Sequence, residues 1–264
     1  MSLETEKNWL WTWLCPLGSP RVNYRRFTYI EFEEDATKRS EVEILLAQML
    51  RDYHTYSDVD QNLFRQLGYP RLAATLAGDQ RPNDHRTRMG NFMEILAYEL
   101  AKASGYDLPV LRLRYNPNPE QSMKGDDILG FRFAQEGKER DTVLVGEAKF
   151  RKEYKKRAVE EAYEALTRSF RPYPRSMEFV RTILSLRGDI ATADKVDLLR
   201  RKLASNPESV ERKYLLIMGT VGRHPDPFRY LDELNEIRTG VIAAYVVFQE
   251  EFTSWLEQAY ECRG

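Results

Sequence analysis

Four short runs of apolar and β-branched residues constrain this chain most: Asp127 to Phe133, Thr142 to Phe150, Tyr214 to Thr220 and Val241 to Phe248. Each has the length of a strand rather than a helix. Around them lie segments with apolar residues at helical spacing: Glu41 to Tyr53, Met89 to Ser104, Lys155 to Ser169, Met177 to Leu186, Asp194 to Ala204 and Glu251 to Glu261. Adjacent strands set between helices, without strict alternation, predict an α/β fold: a mixed β-sheet flanked by helices. Gly105 stops the helix that begins at Met89. Further strands are expected at Tyr24 to Phe32 and Leu108 to Tyr115, the latter before the non-helical loop Asn116-Pro117-Asn118-Pro119. Gly90 either permits close approach of the helix to a metal or to nucleic acid or is only a helix start.

A length of 264 residues suits one large domain or a domain with a small companion. The turn-rich stretch Gly78 to Asp84 is the candidate boundary, dividing an N-terminal accessory region (1–85) from a main domain (86–264). Lys and Arg total 40 against 41 Asp and Glu, so any polyanion must be met by a local patch. No run approaches the 18 apolar residues of a membrane span, and no membrane partner is expected. Cys15 and Cys262 sit at opposite ends, which excludes a cysteine-rich framework and points to a reduced, cytoplasmic setting. The opening Met1-Ser2-Leu3-Glu4-Thr5-Glu6 lacks the basic start and long apolar stretch of a secretory signal. Trp9, Trp11 and Trp13 share one face if extended. That face is either a stacking platform for bases or, as large apolar rings usually behave, an element docked on the core.

The chemistry concentrates in Gly125-Asp126-Asp127-Ile128-Leu129-Gly130 and Val143-Leu144-Val145-Gly146-Glu147-Ala148-Lys149-Phe150. Side chains alternate along a strand, so Glu147 and Lys149 share one face with Val143 and Val145. A half-buried acid and a half-buried lysine are costly unless paired or functional. If the two strands form a hairpin, Asp127 reaches Glu147. Two carboxylates pressed together repel unless a hard cation such as Mg²⁺ or Mn²⁺ lies between them. In that reading Asp127 and Glu147, with the Ala148 carbonyl, hold the metal, and Lys149 orients a water or stabilises a phosphate transition state. The competing reading is a strand-borne ion pair beside a turn aspartate. Glu94 either joins the cluster from the preceding helix or is an exposed helical glutamate.

These residues resemble the PD-(D/E)xK nuclease superfamily: helix with glutamate, strand, strand with aspartate, strand with Glu-x-Lys, helix. More narrowly, Gly-Asp-Asp-Ile-Leu-Gly followed by Gly-Glu-Ala-Lys-Phe is similar to the HamA nuclease subunits of Hachiman antiphage defence systems. The resemblance implies a restriction-endonuclease-like core, Mg²⁺- or Mn²⁺-dependent hydrolysis of DNA phosphodiesters, and a HamB-like helicase as partner. By motif position Glu94, Asp127, Glu147 and Lys149 take the catalytic roles. No proline precedes the aspartate. Asp126 is therefore an alternative ligand, with Asp127 preferred because it abuts the apolar strand.

Arg151, Lys152, Lys155, Lys156 and Arg157 follow Lys149 directly, and Arg171 lies further on among aromatic residues. They are the candidate phosphate contacts; the alternative is a solvated charged face. Arg21, Arg25 and Arg26 with Tyr24 form a weaker second patch. The histidines His54, His85 and His224 are too scattered to ligate a metal together. A catalytically silent nucleic-acid-binding or scaffolding subunit of the same fold is the competing function.

Overall fold

The computed structural model describes residues 9–17, 26–56, 58–66, 68, 70–76, 78, 80–116, 118–121, 125–134 and 140–262. Its strands are β1 (Leu14–Pro16), β2 (Thr28–Glu34), β3 (Ile128–Arg132), β4 (Thr142–Arg151), β5 (Glu211–Val221) and β6 (Val241–Phe248). They form one mixed sheet in the order β1-β2-β6-β5-β4-β3. The pairs β2/β6, β6/β5 and β5/β4 are parallel, while β1 and β3 close the two edges antiparallel. Parallel strands are covered on both faces and so read as continuous apolar runs. In β5, Leu215 and Ile217 pack into one core and Tyr214, Leu216 and Met218 into the other.

Helices supply the two covers. On one face lie α1 (Trp9–Trp13), α2 (Arg39–His54), α5 (His85–Ala103) and α10 (Phe252–Glu261). On the other lie α6 (Lys156–Ser169), α7 (Ser176–Leu186), α8 (Ile190–Ser205) and α9 (Arg229–Glu233). The short helices α3 (Asp58–Gln66) and α4 (Pro70–Leu76) sit beside them. The buried Asp60 of α3 takes both arms of the Arg187 guanidinium (2.9 and 3.0 Å) at the end of α7. Gly105, at φ +80°, ends α5 as expected.

One expectation changes. Leu108 to Tyr115 is not a strand: a single bridge joins Asp107 to Phe131, and residues Arg112–Tyr115 turn as a 3₁₀ helix. Pro109 has no N–H to give a ladder, and side chains claim the carbonyls that would enter one. Tyr98 donates to the Leu108 carbonyl (2.7 Å) and Arg187 to that of Pro109 (3.1 Å). The tryptophan segment winds into α1 and docks on the core; Trp11 and Trp13 are buried, and Trp13 Nε1 donates to Glu34 Oε1 at 3.3 Å. Trp9 packs half-buried against the same core. Gly90 lies within α5 and faces open space, whereas at Gly219 a Cβ would lie 2.7 Å from Met93 Sδ. The missing side chain in β5 lets α5 settle onto the sheet. Arg21, Tyr24 and Arg25 lie outside the described residues.

Candidate active site

The register of the β3–β4 hairpin sets the site. Ile128 lies opposite Gly146, so Asp127 comes beside Glu147 at the next position. A Cβ on Gly146 would lie 2.7 Å from the Ile128 Cβ; glycine is what allows the strands to close there. Asp127 Oδ2 then accepts the Ala148 N–H at 2.8 Å, fixing the carboxylate against β4. Two residues along, Lys149 Nζ donates to Glu147 Oε1 at 2.5 Å.

Glu94 arrives from α5. Ile95, Leu96 and Ala97 anchor that helix in the core, and Met93 seats against Gly219. Glu94 is itself buried, and its Oε2 has no hydrogen-bond partner among the described residues. Such an orphaned acceptor normally costs about 1–3 kcal/mol, more if charged. Burial holds the Glu94 carboxyl well above the ordinary range, and Asp127 adds to the shift while Arg112 opposes it. Burial likewise raises Asp127, against the pull of Arg112 and the Ala148 N–H. Glu147 is pushed up to about 7 by burial and by Asp127, with Lys149 resisting. Burial depresses the Lys149 ammonium, but Glu147 and Asp127 outweigh it and the net shift is upward.

One residue, Arg112, escaped the sequence reading. Arg112 Nη1 donates to the Asp126 carbonyl, and its Nη2 lies 3.8 Å from Asp127 Oδ1. It braces the turn before β3 from behind. A lone arginine in a 3₁₀ turn carries no motif, so only tertiary proximity reveals it. Asp126 faces away from the acids and accepts from Ser169 Oγ (2.5 Å) and Ser176 Oγ, tying the turn to the end of α6 and the start of α7.

Glu94, Asp127, Glu147, Ala148 and Lys149 line one cleft of about 650 Å³ together with Arg151, Lys152 and Lys155. Lys156 and Arg157 are not among its walls; they pair with Glu233 and Glu161, each at 2.8 Å. Arg171 is exposed in the α6–α7 connection, also outside the cleft. Among the described residues no three His, Cys, Asp or Glu side chains converge tightly enough to grip a metal ion as they stand. The donor chemistry nevertheless suits a hard divalent cation. Three carboxylates share one cleft, one oxygen lacks a partner, and Asp127 raises the proton affinity of both Glu94 and Glu147.

A family model described as HamA matches residues 8–243. The chain belongs to the HamA family. A relative in Bacillus cereus, named Hachiman protein HamA, is 32% identical over 206 residues, covering 75% of this chain and 72% of that protein. The stretch matched by the HamA model contains all four residues singled out from the motif, Glu94, Asp127, Glu147 and Lys149. No helix among the described residues is long and apolar enough to cross a membrane.

Proposed function

We propose that this HamA family member is a metal-dependent nuclease that hydrolyses DNA phosphodiester bonds, on a restriction-endonuclease-like PD-(D/E)xK core. We place it in a Hachiman antiphage defence system beside a HamB-like helicase. One observation carries the reading: buried Glu94 and half-buried Asp127, Glu147 and Lys149 come together in one cleft with a basic wall. A purely structural core gains nothing from three acids whose protonation equilibria are all displaced against charge.

Asp127 and Glu147, with the Ala148 carbonyl, would hold Mg²⁺ or Mn²⁺. Such an ion, when bound, withdraws charge from a phosphate and lowers the pKa of a water. The remaining work belongs to the chain. Lys149 stays protonated at neutral pH because the acids beside it raise its affinity for the proton. Its ammonium is placed to donate to a non-bridging phosphate oxygen as negative charge develops. Glu94 Oε2 offers a vacant acceptor for a water at the floor. Arg151, Lys152 and Lys155 hold flanking phosphates at the rim.

The second reading, a silent nucleic-acid-binding or scaffolding subunit, draws on the Glu147–Lys149 contact, which ties up one carboxylate oxygen. Plasmid incubated with Mg²⁺ or Mn²⁺ separates the two. Nicking or linearisation by the wild type is expected to fall at least a hundredfold in Glu147→Ala and Lys149→Ala, the scale of losing a principal electrostatic group. Equal DNA products from all three proteins, assayed alone and with the helicase partner, would sink the nuclease reading in favour of the binding subunit.

A further inference from the structure

We infer that the cleft has a second cationic wall, built by α5, and that Arg86 is a phosphate-contact residue facing Arg151, Lys152 and Lys155. The inference rests on the proposed nuclease reading and deepens it: the DNA backbone is gripped from two sides.

Arg86, Gly90 and Glu94 fall at i, i+4 and i+8 of α5, so they form one stripe along its surface. All three line the cleft. The stripe runs from an exposed guanidinium at the mouth, past a position with no side chain, to the buried carboxylate at the floor. At Gly90 an added Cβ would meet nothing within 4 Å, so the wall is open there, with room for a sugar–phosphate backbone.

The pattern of ion pairing points the same way. Arg86, Lys152 and Lys155 border the cleft, and none makes an ion pair or side-chain hydrogen bond among the described residues. Lys156 and Arg157, one and two residues beyond, are each neutralised by a glutamate outside the cleft. Basic groups without an ion-pair partner thus border the cleft, and the paired ones lie beyond it. Arg86 stands in the first turn of α5, two residues after the capping Asp84.

The test uses the full chain in a Glu147→Gln background with EDTA, so that no strand is cut. A fluorescent 20-mer, single-stranded or duplex, is titrated by anisotropy over a range of salt. Arg86→Ala should weaken binding about three- to tenfold and flatten the slope of log K against log salt by about 0.7–0.9, one phosphate contact. Arg86→Glu should weaken it further, and Arg86→Lys should restore most of the affinity. Lys156→Ala and Arg157→Ala are the controls and should stay within about twofold. Unchanged affinity and slope in Arg86→Ala, with losses in Lys152→Ala and Lys155→Ala, would overturn the second wall and leave the nuclease reading standing. Equal losses from Arg86→Ala and both controls would reduce the effect to general surface charge. No binding by the parent at low salt would remove both proposals. Thermal melts confirm that each variant folds, which the exposure of Arg86 favours.

Discussion

At the scale of single residues, the site is a set of acids held away from their preferred charge state. Glu147 makes this measurable. Burial and the neighbouring Asp127 push its carboxyl up to about 7 from an ordinary value of 4.5. Between those values the folded protein binds a proton that the unfolded chain releases. The stabilisation is therefore complete below about 4.5 and is lost as the pH rises through about 7. In EDTA, denaturant unfolding of the wild type should lose stability from pH 5 to pH 8, and Glu147→Gln should lose clearly less. Parallel pH profiles for the two proteins would contradict the placement of Glu147 among like charges. Glycines give a second residue-scale prediction. Gly219→Ala forces a methyl against Met93 and Phe248 and should cost about 1–3 kcal/mol. Gly90→Ala meets open space on a helix and should be neutral or stabilising by up to about 1 kcal/mol. The tight contact at Gly219 gives no signal in sequence, because its partner Met93 is distant in the chain.

At the scale of elements, local signals placed most of the secondary structure. Val241–Phe248 spans the residues its apolar run marks, and the β4 run Thr142 to Phe150 gains only Arg151. Those strands are legible because both faces are buried. The segment at Leu108 failed because Val110 and Leu113 are buried without a ladder, while Tyr98 and Arg187 take the carbonyls of Leu108 and Pro109. Which of the adjacent aspartates points at Glu147 is settled by an element contact. Asp126 secures the α6–α7 junction through Ser169 and Ser176, while Asp127 secures β4. Asp126→Ala should therefore lower stability by about 1–3 kcal/mol, as expected for losing hydrogen bonds to a carboxylate, yet keep the thermal response to Mg²⁺. Asp127→Asn should do the reverse: little loss of stability, and a blunted response. Swapped outcomes in differential scanning fluorimetry would exchange the roles of the two residues.

At the scale of the molecule, the sheet order β1-β2-β6-β5-β4-β3 was beyond sequence reach, since three of its five pairings are parallel and join strands far apart in the chain. That order matters to the site. β4, which bears Glu147 and Lys149, lies one strand in from the edge, between its hairpin partner β3 and the parallel β5. The frame beneath the acids is consequently stiff, and relief of their repulsion must come from charge rather than from movement of the sheet. A divalent cation that binds only the folded cluster stabilises the whole molecule by mass action, about 3 kcal/mol at a hundred times its dissociation constant. For a chain of this length that is a rise of roughly 5 °C in melting temperature. Mg²⁺ should produce such a rise in the wild type and a much smaller one in Glu94→Gln with Asp127→Asn. The double variant should also melt higher than the wild type in EDTA, because two of the three repelling charges are gone. Identical wild-type melting curves in EDTA and in millimolar Mg²⁺ would mean that these carboxylates do not form a cation site. The buried acids would then need another ligand to account for their burial.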